Sequence, residues 1–471
     1  MTPLPSVTVI GGGPGGYVAA IRAAQLGAQV TLIEEQEVGG TCLNKGCIPS
    51  KALIFNTEVF GLLGKANRFG IRAGFEPGLD LPRVLERKNR VVQLQVRGVR
   101  SLLKSWGVRL INGRGRLSGP GQVEVSTRGG ETKRHEADRI ILATGSKPLK
   151  PPAFPFDGTR VITSEEALEP RDIPARLLII GAGVEGCEFG FLYRGLGSEV
   201  TLVEMQPRPL SAEDEEVSSL ILREMKKKKI GIHLNTRVEK VEIKEGRIAV
   251  TLSGGQTETV DRVLVSVGRS MNTAGIGLEE AGVERGERGE IRVNENLETT
   301  VPGIFGIGDA LGRVMLAHVA SAEGKVAAAN AVGGKVSRVM DYRVIPAGIF
   351  TTPEIGTVGL KEWEAGKKGM AIRVGRFPFK AIGRPHTMDE TAGFVKVITE
   401  AKTGVILGVH IVGPHASDLV HEAALAVRLG ATASDVADMI HAHPTLAEAM
   451  MEAAEDVSGK AVHQPPKKDL K

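Results

Sequence analysis

The stretch Val7-Thr-Val-Ile-Gly-Gly-Gly-Pro-Gly-Gly16 decides the fold, because it places a glycine-rich turn directly after a short apolar run. An Ala-rich segment typical of a helix follows, and then a second apolar run, 29–33, which ends at Glu34. The same order returns at 177–204, where Leu-Leu-Ile-Ile precedes Gly-Ala-Gly-Val-Glu-Gly and a later apolar run ends at Glu204. In both copies the acid follows the last motif glycine at nearly the spacing of about 20 residues that dinucleotide-binding folds use.

Each turn carries three glycines with different tasks. The first permits the sharp turn, the second lets backbone N–H groups approach a pyrophosphate, and the third lets the helix pack closely on the strand. The helix N-terminus then faces the phosphates, and the acid accepts hydrogen bonds from ribose hydroxyls. One such turn is weak evidence, but two in the same context predict two Rossmann-like units. The predicted nucleotide contacts are Gly11, Gly13, Gly16 and Glu34 in the first unit and Gly181, Gly183, Val184, Gly186 and Glu204 in the second.

Composition excludes several other classes of protein. The chain has 471 residues, 42% hydrophobic and 24% charged, which is ordinary for about three globular domains. Its net charge of +5 is concentrated partly in a Lys-rich end after residue 457, so nucleic-acid binding is not predicted. No apolar stretch is long enough to span a membrane, and the first residues carry no targeting pattern, so we expect a cytoplasmic protein with no membrane partner.

The remainder of the chain divides into regions that differ in composition and in apolar pattern. Prolines at 148–155 indicate a crossover, and an apolar helix is predicted at 317–331. From about Asp341 strand-like runs at 393–399 and 405–411 precede predicted helices, which indicates a separate α+β domain; the helices are 416–429, 433–440 and 445–455. We therefore predict an α/β fold with the divisions 1–149, 150–270, a central segment 271–340 that returns to the first domain, 341–456, and a flexible basic tail 457–471.

A cysteine pair follows the first unit at once, in Gly39-Gly-Thr-Cys42-Leu-Asn-Lys-Gly-Cys47-Ile-Pro-Ser-Lys51. In a regular helix the Cα atoms of residues five apart would lie over about 8 Å from each other, beyond the 4.4–6.8 Å of a disulfide. Bridging the pair therefore requires a tightened or bulged segment, which Asn44 and Gly46 permit. Cys47 is expected at a helix N-terminus, where the dipole favours a thiolate. The third cysteine, Cys187, is expected to be a buried packing residue.

This segment closely resembles the active-site signature of the flavoprotein disulfide reductases, and its Ile-Pro-Ser-Lys51 ending looks most like the branch that oxidises dihydrolipoyl groups. Further matches are ATGS at 143–146, GIGDA at 306–310, LAH at 316–318 and GRP at 383–385. The resemblance covers about residues 6–455. It implies a redox-active Cys42–Cys47 disulfide in which Cys42 meets the substrate and Cys47 lies against a flavin.

The cofactors that the resemblance implies are FAD and NAD. FAD is expected in the first unit, because the Cys segment grows directly from it, and NAD in the second, because Glu204 would repel the 2′-phosphate of NADP although Arg208 lies four residues on. Lys51 and Glu188 are expected to pair near the flavin ring. The other predicted contacts are Gly115, Thr144, Gly145, Ser146, Asp309, Met315, Leu316, Ala317 and His318 for FAD, and Glu188 and Gly268 for NAD; no metal site is predicted.

An acid–base pair is predicted in His441-Ala-His-Pro-Thr-Leu-Ala-Glu448. Pro444 and Thr445 would lead into a helix that brings Glu448 to the ring of His443, and a carboxylate on one ring nitrogen raises the basicity of the other. By resemblance His443 serves the Cys pair of the opposite subunit, which implies a homodimer whose C-terminal domain is the dimerisation domain. His441 is expected to be structural or to lie near the cofactor.

The resemblance implies oxidation of a dihydrolipoyl dithiol to lipoyl disulfide with reduction of NAD+ to NADH. The partners implied are lipoyl domains of 2-oxoacid dehydrogenase or glycine cleavage complexes. Within the same family, mercuric reductase would need a further C-terminal Cys pair, glutathione reductase an NADP signature, and soluble transhydrogenase would lack one of the two cysteines. A redox-silent nucleotide-binding subunit is the alternative of another class. One departure from the family pattern is Glu185, which stands where relatives carry an apolar residue and is expected to weaken NAD binding.

Overall fold

The structure is a computed structural model of the full chain and describes residues 5–72, 74, 77–244, 246–333 and 338–466. The strands are β1 Ser6–Ile10, β2 Gln29–Glu34, β3 Arg109–Asn112, β4 Arg114–Gly119, β5 Gln122–Ser126, β6 Thr132–Glu136, β7 Arg139–Leu142, β8 Ser146–Pro148, β9 Val161–Ile162, β10 Arg176–Ile180, β11 Glu199–Val203, β12 Gly231–His233, β13 Val238–Lys244, β14 Arg247–Leu252, β15 Thr257–Val260, β16 Arg262–Val265, β17 Arg269–Met271, β18 Ile304–Gly306, β19 Ala347–Ile349, β20 Glu354–Gly359, β21 Ile372–Pro378, β22 Phe394–Glu400 and β23 Ile406–Gly413.

The helices are α1 Pro14–Gln25, α2 Gly40–Lys45, α3 Cys47–Gly64, α4 Leu81–Ser105, α5 Ser164–Ala167, α6 Val184–Leu196, α7 Glu215–Lys227, α8 Leu278–Ala281, α9 Ala317–Val332, α10 Glu362–Lys367, α11 Gly383–Met388, α12 Ala416–Leu429, α13 Ala433–Ala437 and α14 Glu448–Asp456. Short 3-10 turns occupy Ala66–Phe69, Gly308–Leu311 and Phe379–Ala381. No helix among the described residues is long and apolar enough to cross a membrane.

The first compact unit comprises the described residues of 1–151, 163–172 and 268–341. Its main sheet has the parallel order β18-β7-β1-β2-β3, so the strand at 304–306 returns to the sheet that the N-terminus begins. Val9, Leu32 and Ile141 are fully buried within that sheet, as expected for parallel strands covered on both faces. The unit also contains a three-stranded antiparallel sheet, β4-β5-β6, and an antiparallel pair, β8-β17.

The second compact unit comprises the described residues of 152–162, 173–267 and 342–466. It holds a parallel sheet in the order β12-β11-β10-β16-β9, which repeats the arrangement of the first unit around the strand that precedes the second glycine turn. It also holds an antiparallel sheet, β19-β20-β23-β22-β21, covered by α12 and α14. The two sheets lie in one compact unit, and the division into domains at 150–270 and 341–456 stays a prediction.

Local patterns predicted most elements, and the differences have physical causes. The strands predicted at 393–399 and 405–411 are Phe394–Glu400 and Ile406–Gly413, and the helix predicted at 416–429 is α12. The helix predicted at 433–440 ends at Ala437, and the one predicted at 445–455 begins only at Glu448. Pro444 and Thr445 form a turn instead of a helix, because the carboxylate of Glu448 accepts the Thr445 N–H.

Part of the tail predicted to be flexible, residues 457–466, makes contacts with the rest of the chain. The His463 ring nitrogen Nδ1 lies 2.5 Å from the buried carboxylate of Glu452, and Gln464 Nε2 donates to the Arg376 carbonyl at 2.5 Å. These contacts hold the segment against α14 and β21. Residues 467–471 lie outside the described part of the chain.

Candidate active site

The first glycine turn follows β1 and leads into α1. Gly11 has φ +102°, a left-handed conformation that favours glycine, and a Cβ on Gly16 would lie 1.8 Å from the Gly11 carbonyl oxygen. Glu34 closes the turn, since Gly12 N–H donates to its Oε2 at 2.6 Å and Gln36 N–H to its Oε1 at 2.7 Å. Burial raises the pKa of the Glu34 carboxyl, although these two amide donors act against the increase. The structure thus places Glu34 at the turn, as the dinucleotide pattern predicts.

The second glycine turn has the same geometry. Gly181 also has φ +102°, and a Cβ on Gly186 would lie 2.0 Å from the Gly181 carbonyl oxygen. Ala182 N–H donates to Glu204 Oε2 at 2.6 Å. Around Gly183 no described atom lies within 4 Å of an added Cβ, so this turn leaves room for a ligand to approach the backbone. The two turns therefore offer the same cradle for a pyrophosphate.

The cysteine segment forms two helices broken between the cysteines. α2 ends at Lys45, Gly46 adopts φ −147° and ψ −112°, and Cys47 begins the 18-residue helix α3. The break lies at Gly46 alone, because Asn44 remains helical and donates from Nδ2 to the carbonyls of Val38 and Gly40. The distortion that the spacing requires lies at Gly46, while Asn44 keeps a helical conformation.

The break brings the two thiols into hydrogen-bond contact. That contact, followed by burial, raises the pKa of the Cys42 thiol far above its ordinary value, while the charge of Lys51 acts in the opposite direction. Cys47 is exposed and lies at the N-terminus of α3, where the helix dipole favours negative charge. The contact thus stabilises the protonated form of Cys42, while Cys47 lies where the dipole of α3 favours negative charge.

A polar network connects the ATGS segment with the GIGDA segment. Ser146 Oγ donates to Asp309 Oδ2 at 2.5 Å, and Arg269 donates to Ser146 from both Nε, at 2.7 Å, and Nη2, at 3.1 Å. Thr144 Oγ1 is buried and has no hydrogen-bond partner among the described residues. Together with the glycine cradle at 11–16, this unpaired hydroxyl fits a bound polar ligand such as FAD.

Arg269 is a member of this network that the sequence did not indicate. The preceding Gly268, predicted as an NAD contact, has φ +116° and accepts from Leu149 N–H at 3.0 Å within the first unit. Glu323 is likewise new: it is almost fully buried on α9 and accepts from Gly308 N–H at 2.6 Å. The sequence signal for Arg269 was its position directly after a Gly that mirrors Gly145 of the ATGS turn.

Other residues predicted to contact FAD lie at the start of α9 and at the ends of β1 and β2. Met315 and Leu316 precede α9, while Ala317 and His318 form its first turn. The α9 residue Ser321 donates to the Pro14 carbonyl at 3.3 Å, so the N-termini of α1 and α9 lie side by side. A Cβ on Gly115 would lie 3.1 Å from Ile10 and 3.2 Å from Ile33, which places Gly115 against the ends of β1 and β2.

The predicted acid–base pair is in direct contact. His443 Nδ1 lies 2.8 Å from Glu448 Oε1, and the other carboxylate oxygen accepts Thr445 N–H at 2.8 Å. Burial acts to raise the pKa of the Glu448 carboxyl, but the hydrogen bonds from His443 and Thr445 outweigh it and lower that pKa. The His443 side chain is 74% exposed, so its Nε2 side is open to another molecule.

His441 differs from His443 in the exposure of its side chain and in the partners of its two ring nitrogens. Its side chain is 3% exposed, Nε2 lies 2.9 Å from Glu422 Oε1, and Nδ1 lies 3.0 Å from the Met439 carbonyl. Both ring nitrogens are therefore used within the fold, and His441 is a structural residue. Cys187 is also structural, since it is fully buried in α6 and its thiol donates to the Ala182 carbonyl at 3.2 Å.

Three charged residues near the second turn have defined partners. Glu185 Oε2 accepts from Ser266 Oγ at 2.9 Å, and the buried Glu188 accepts from Phe350 N–H at 2.9 Å. Arg208 donates to Glu215 at 2.8 Å and to the Ser211 carbonyl at 3.1 Å. These contacts direct the Arg208 guanidinium to α7. The position of Arg208 in the sequence therefore no longer supports a site for the 2′-phosphate of NADP. The pairing of Lys51 with Glu188 remains a prediction.

Family models cover most of the chain. Residues 5–324 match the pyridine nucleotide-disulphide oxidoreductase model, and residues 345–454 match the dimerisation domain of the same family. The dimerisation-domain match supports a homodimer.

Curated relatives and solved structures agree with these matches. The dihydrolipoyl dehydrogenase of Thermus scotoductus is 45% identical over 465 residues, covering 97% of this chain and 98% of that protein. The dihydrolipoyl dehydrogenase of Chlamydia muridarum is 42% identical, covering 97% and 98% respectively. Among solved structures, LpdA from Mycobacterium tuberculosis is similar with a TM-score of 0.90 and 32% identity, covering 96% of this chain and 99% of that one.

Proposed function

The chain belongs to the pyridine nucleotide-disulphide oxidoreductase family, and we propose that within it this enzyme oxidises dihydrolipoyl groups to lipoyl disulfide and reduces NAD+ to NADH. The observation that carries the proposal is the contact of the Cys42 and Cys47 thiols across the break at Gly46. The names of the relatives that cover nearly the full chain support the dihydrolipoyl substrate.

The cofactors are FAD and NAD. The first unit holds FAD through the turn at 11–16, Glu34, and the network around Ser146 and Asp309, where the buried Thr144 Oγ1 is available to a ligand. The second unit holds NAD through the turn at 181–186 and Glu204. When bound, FAD accepts the electron pair of the dithiol and delivers it to NAD+ as a hydride.

The thiol chemistry begins with a proton transfer to His443. The ring of His443 accepts a proton from one thiol of the substrate at Nε2, because Glu448 holds the other nitrogen, Nδ1, in the protonated form. The ionised carboxylate then stabilises the imidazolium that results. His443 acts on the cysteine pair of the opposite subunit, and its 74% exposure in the single chain is consistent with that role.

The substrate thiolate attacks Cys42 of the oxidised pair and releases Cys47 as a thiolate at the head of α3. The second substrate sulfur then displaces Cys42 from the mixed disulfide, and its proton passes to the departing Cys42 sulfur. Lipoyl disulfide leaves, and two electrons remain on the Cys42–Cys47 dithiol. The high pKa of the Cys42 thiol keeps the proton on that sulfur, so the negative charge stays on Cys47.

The direct test is a steady-state assay of the FAD-loaded enzyme. We expect NADH formation from dihydrolipoamide and NAD+, and little turnover with glutathione or with NADP+. Cys42→Ser should abolish turnover, whereas Cys187→Ala is the matched control because its thiol is buried and lies outside the reaction. A wild-type enzyme that forms no NADH from dihydrolipoamide would refute the proposal.

The base is tested separately from the cysteines. His443→Gln should lower kcat by about 10²–10⁴ while FAD remains bound, since a general base contributes a factor of that size. The exposed His421 on α12 offers a control, and His421→Gln should retain the wild-type rate. Equal rates for His443→Gln and wild type would show that another group removes the proton.

The lipoyl group arrives on a partner, for which we propose the lipoyl domains of 2-oxoacid dehydrogenase or glycine cleavage complexes in the cytoplasm. Each isolated lipoyl domain, reduced chemically, is a substrate in the same assay. The domain with the highest kcat/KM identifies the complex. Equal values for all of them and for free dihydrolipoamide would contradict a dedicated partner.

A further inference from the structure

Glu185 lies in the first turn of α6, directly beside the predicted pyrophosphate cradle. Its carboxylate accepts a hydrogen bond from Ser266 Oγ at 2.9 Å. Ser266 is the first residue after β16, and its backbone N–H donates to the Ile180 carbonyl at the end of β10. The Glu185 carboxylate is therefore held over the gap between the carboxyl ends of β10 and β16.

The strand order identifies which half of a dinucleotide reaches that gap. In the order β12-β11-β10-β16-β9 the connections diverge at β10, and a dinucleotide binds across this switch point with its pyrophosphate on the following turn. Glu204 directly follows β11, so the adenosine ribose is assigned to the β11 side of the switch point. The nicotinamide half then extends to the β16 side, where Glu185 and Ser266 lie.

We propose that Glu185 is a specificity-determining residue that favours oxidised over reduced nicotinamide nucleotide. The proposal rests on the function proposed above. The oxidised ring carries one positive charge and the reduced ring carries none, while the pyrophosphate and the adenosine half are the same in both. Repulsion between Glu185 and the phosphates therefore cancels when the two affinities are compared, and the attraction to the cationic ring remains.

The size of the effect is set by Coulomb's law. The attraction between two unit charges at short range in a solvent-exposed site is large enough that the carboxylate should favour the cationic ring by about 3- to 10-fold. Glu185 repels the phosphates of both nucleotides, and only the oxidised ring offsets this repulsion, so NADH leaves more readily than it would from a site with a neutral residue. Glu185 thus weakens nucleotide binding in absolute terms and improves the discrimination that turnover with NAD+ requires.

The experiment compares two probes on the oxidised, FAD-containing enzyme by isothermal titration calorimetry. NAD+ represents the cationic ring, and tetrahydro-NAD, whose ring is neutral and cannot donate a hydride, represents the reduced form. Glu185→Gln removes the charge and keeps an oxygen that accepts from Ser266. Glu199→Gln is the control, since the exposed Glu199 begins β11 at the opposite end of the sheet.

Glu185→Gln should shift the ratio of the two dissociation constants by about 3- to 10-fold toward the neutral ring, and the shift should shrink at high salt. Glu199→Gln should leave the ratio unchanged. Ser266→Ala retains the charge and should keep at least part of the wild-type preference. An unchanged ratio in Glu185→Gln, or an equal shift in Ser266→Ala, would overturn the proposal. If wild type bound neither probe, the proposed function itself would fail.

Discussion

The two glycine turns have the same backbone and different surroundings. Position 15 of the first turn and position 185 of the second are equivalent, yet one is Gly and the other Glu. A Cβ on Gly15 would lie 3.0 Å from the Ala320 carbonyl, and a Cβ on Gly324 would lie 2.5 Å from the Gly15 carbonyl. α9 therefore lies so close to the first turn that a side chain would crowd Gly15 and collide at Gly324. Around Gly183 of the second turn, by contrast, no described atom lies within 4 Å of an added Cβ, and Glu185 accepts from Ser266.

This difference matches the two cofactors. A turn enclosed by a second helix suits a flavin that stays bound through many reaction cycles. A turn without such a cover suits a nucleotide that must enter and leave in each cycle. The elements that follow the two acids also differ. The cysteine helices come after Glu34, whereas α7, which begins at the buried N-cap residue Asp214, comes after Glu204. The same local motif thus serves two tasks because of the elements that the chain packs against it.

The largest expected effect separates the two turns directly. Gly16→Ala places a methyl group 1.8 Å from the Gly11 carbonyl oxygen, so the enclosed turn must distort and FAD should be lost. Gly186→Ala meets the Gly181 carbonyl at 2.0 Å and should abolish NAD+ binding in a protein that stays yellow. The measurements are flavin absorbance after gel filtration and calorimetric titration with NAD+. Loss of flavin from both variants alike would contradict the division of tasks.

The next effect concerns the charged cluster of Lys396, Asp214 and Glu216 in the second unit. Lys396 is almost fully buried, and its Nζ lies 2.9 Å from Asp214 and 2.8 Å from Glu216. Lys396→Met leaves the buried Asp214 carboxylate without its cation, which should cost about 3–5 kcal/mol of unfolding free energy. Denaturant unfolding of the second unit measures it. Lys227→Met, which removes an exposed pair with Glu224, should cost under about 1 kcal/mol.

His410 makes the same unit sensitive to acid. The ring is fully buried, Nε2 donates to the Leu360 carbonyl at 3.1 Å, and Nδ1 accepts from Thr357 Oγ1 at 2.6 Å. Burial lowers the pKa of His410 from 6.5 to about 4, although the negative charge of Asp214 acts against that decrease. Between these values the unfolded state binds the additional proton, so stability falls as the pH falls from 6.5 to 4.

The loss from His410 should reach about 3 kcal/mol across that range, at 1.4 kcal/mol for each pH unit of the shift. Unfolding of wild type and His410→Gln at a series of pH values measures it. The variant should be less stable at pH 7 and should have a flatter profile between pH 6.5 and 4. Parallel profiles would show that another group causes the acid sensitivity.

Short-range patterns predicted the repeated units well, because strand, turn and helix are determined there by neighbouring residues. β1 and β2 begin and end within one residue of the predicted runs, and α12 agrees at both ends. Helix ends were predicted less well where a distant or polar contact decides them. The Thr445 turn depends on the carboxylate of Glu448, and no apolar period reveals such a contact.

Contacts between distant residues could not be predicted from the sequence. Arg269 donates to Ser146, 123 residues away, and the glycine before Arg269 indicates a turn but not that partner. His463 was assigned to a flexible tail by composition, although its partner Glu452 lies on the preceding helix. The contacts within the two candidate catalytic pairs were easier to predict, because Cys42 and Cys47 share one short motif and His443 and Glu448 share another.

The smallest expected effect compares Glu34 with Glu204. Each carboxylate accepts the N–H of the residue after the first motif glycine at 2.6 Å, so glutamine at either position keeps one acceptor and loses the charge.

Glu204→Gln should weaken NAD+ binding by about 10-fold, because a hydrogen bond to a charged group contributes about 1.5–3 kcal/mol and part of it remains. The same change should improve NADP+ binding, since it removes the repulsion of the 2′-phosphate. Glu34→Gln should leave FAD bound, because the enclosed first turn retains its other contacts. Calorimetric titration with NAD+ and NADP+ measures both effects. If NADP+ binding did not improve in Glu204→Gln, the carboxylate would not face the adenosine ribose. The assignment of the β16 side to the nicotinamide would then lose its support.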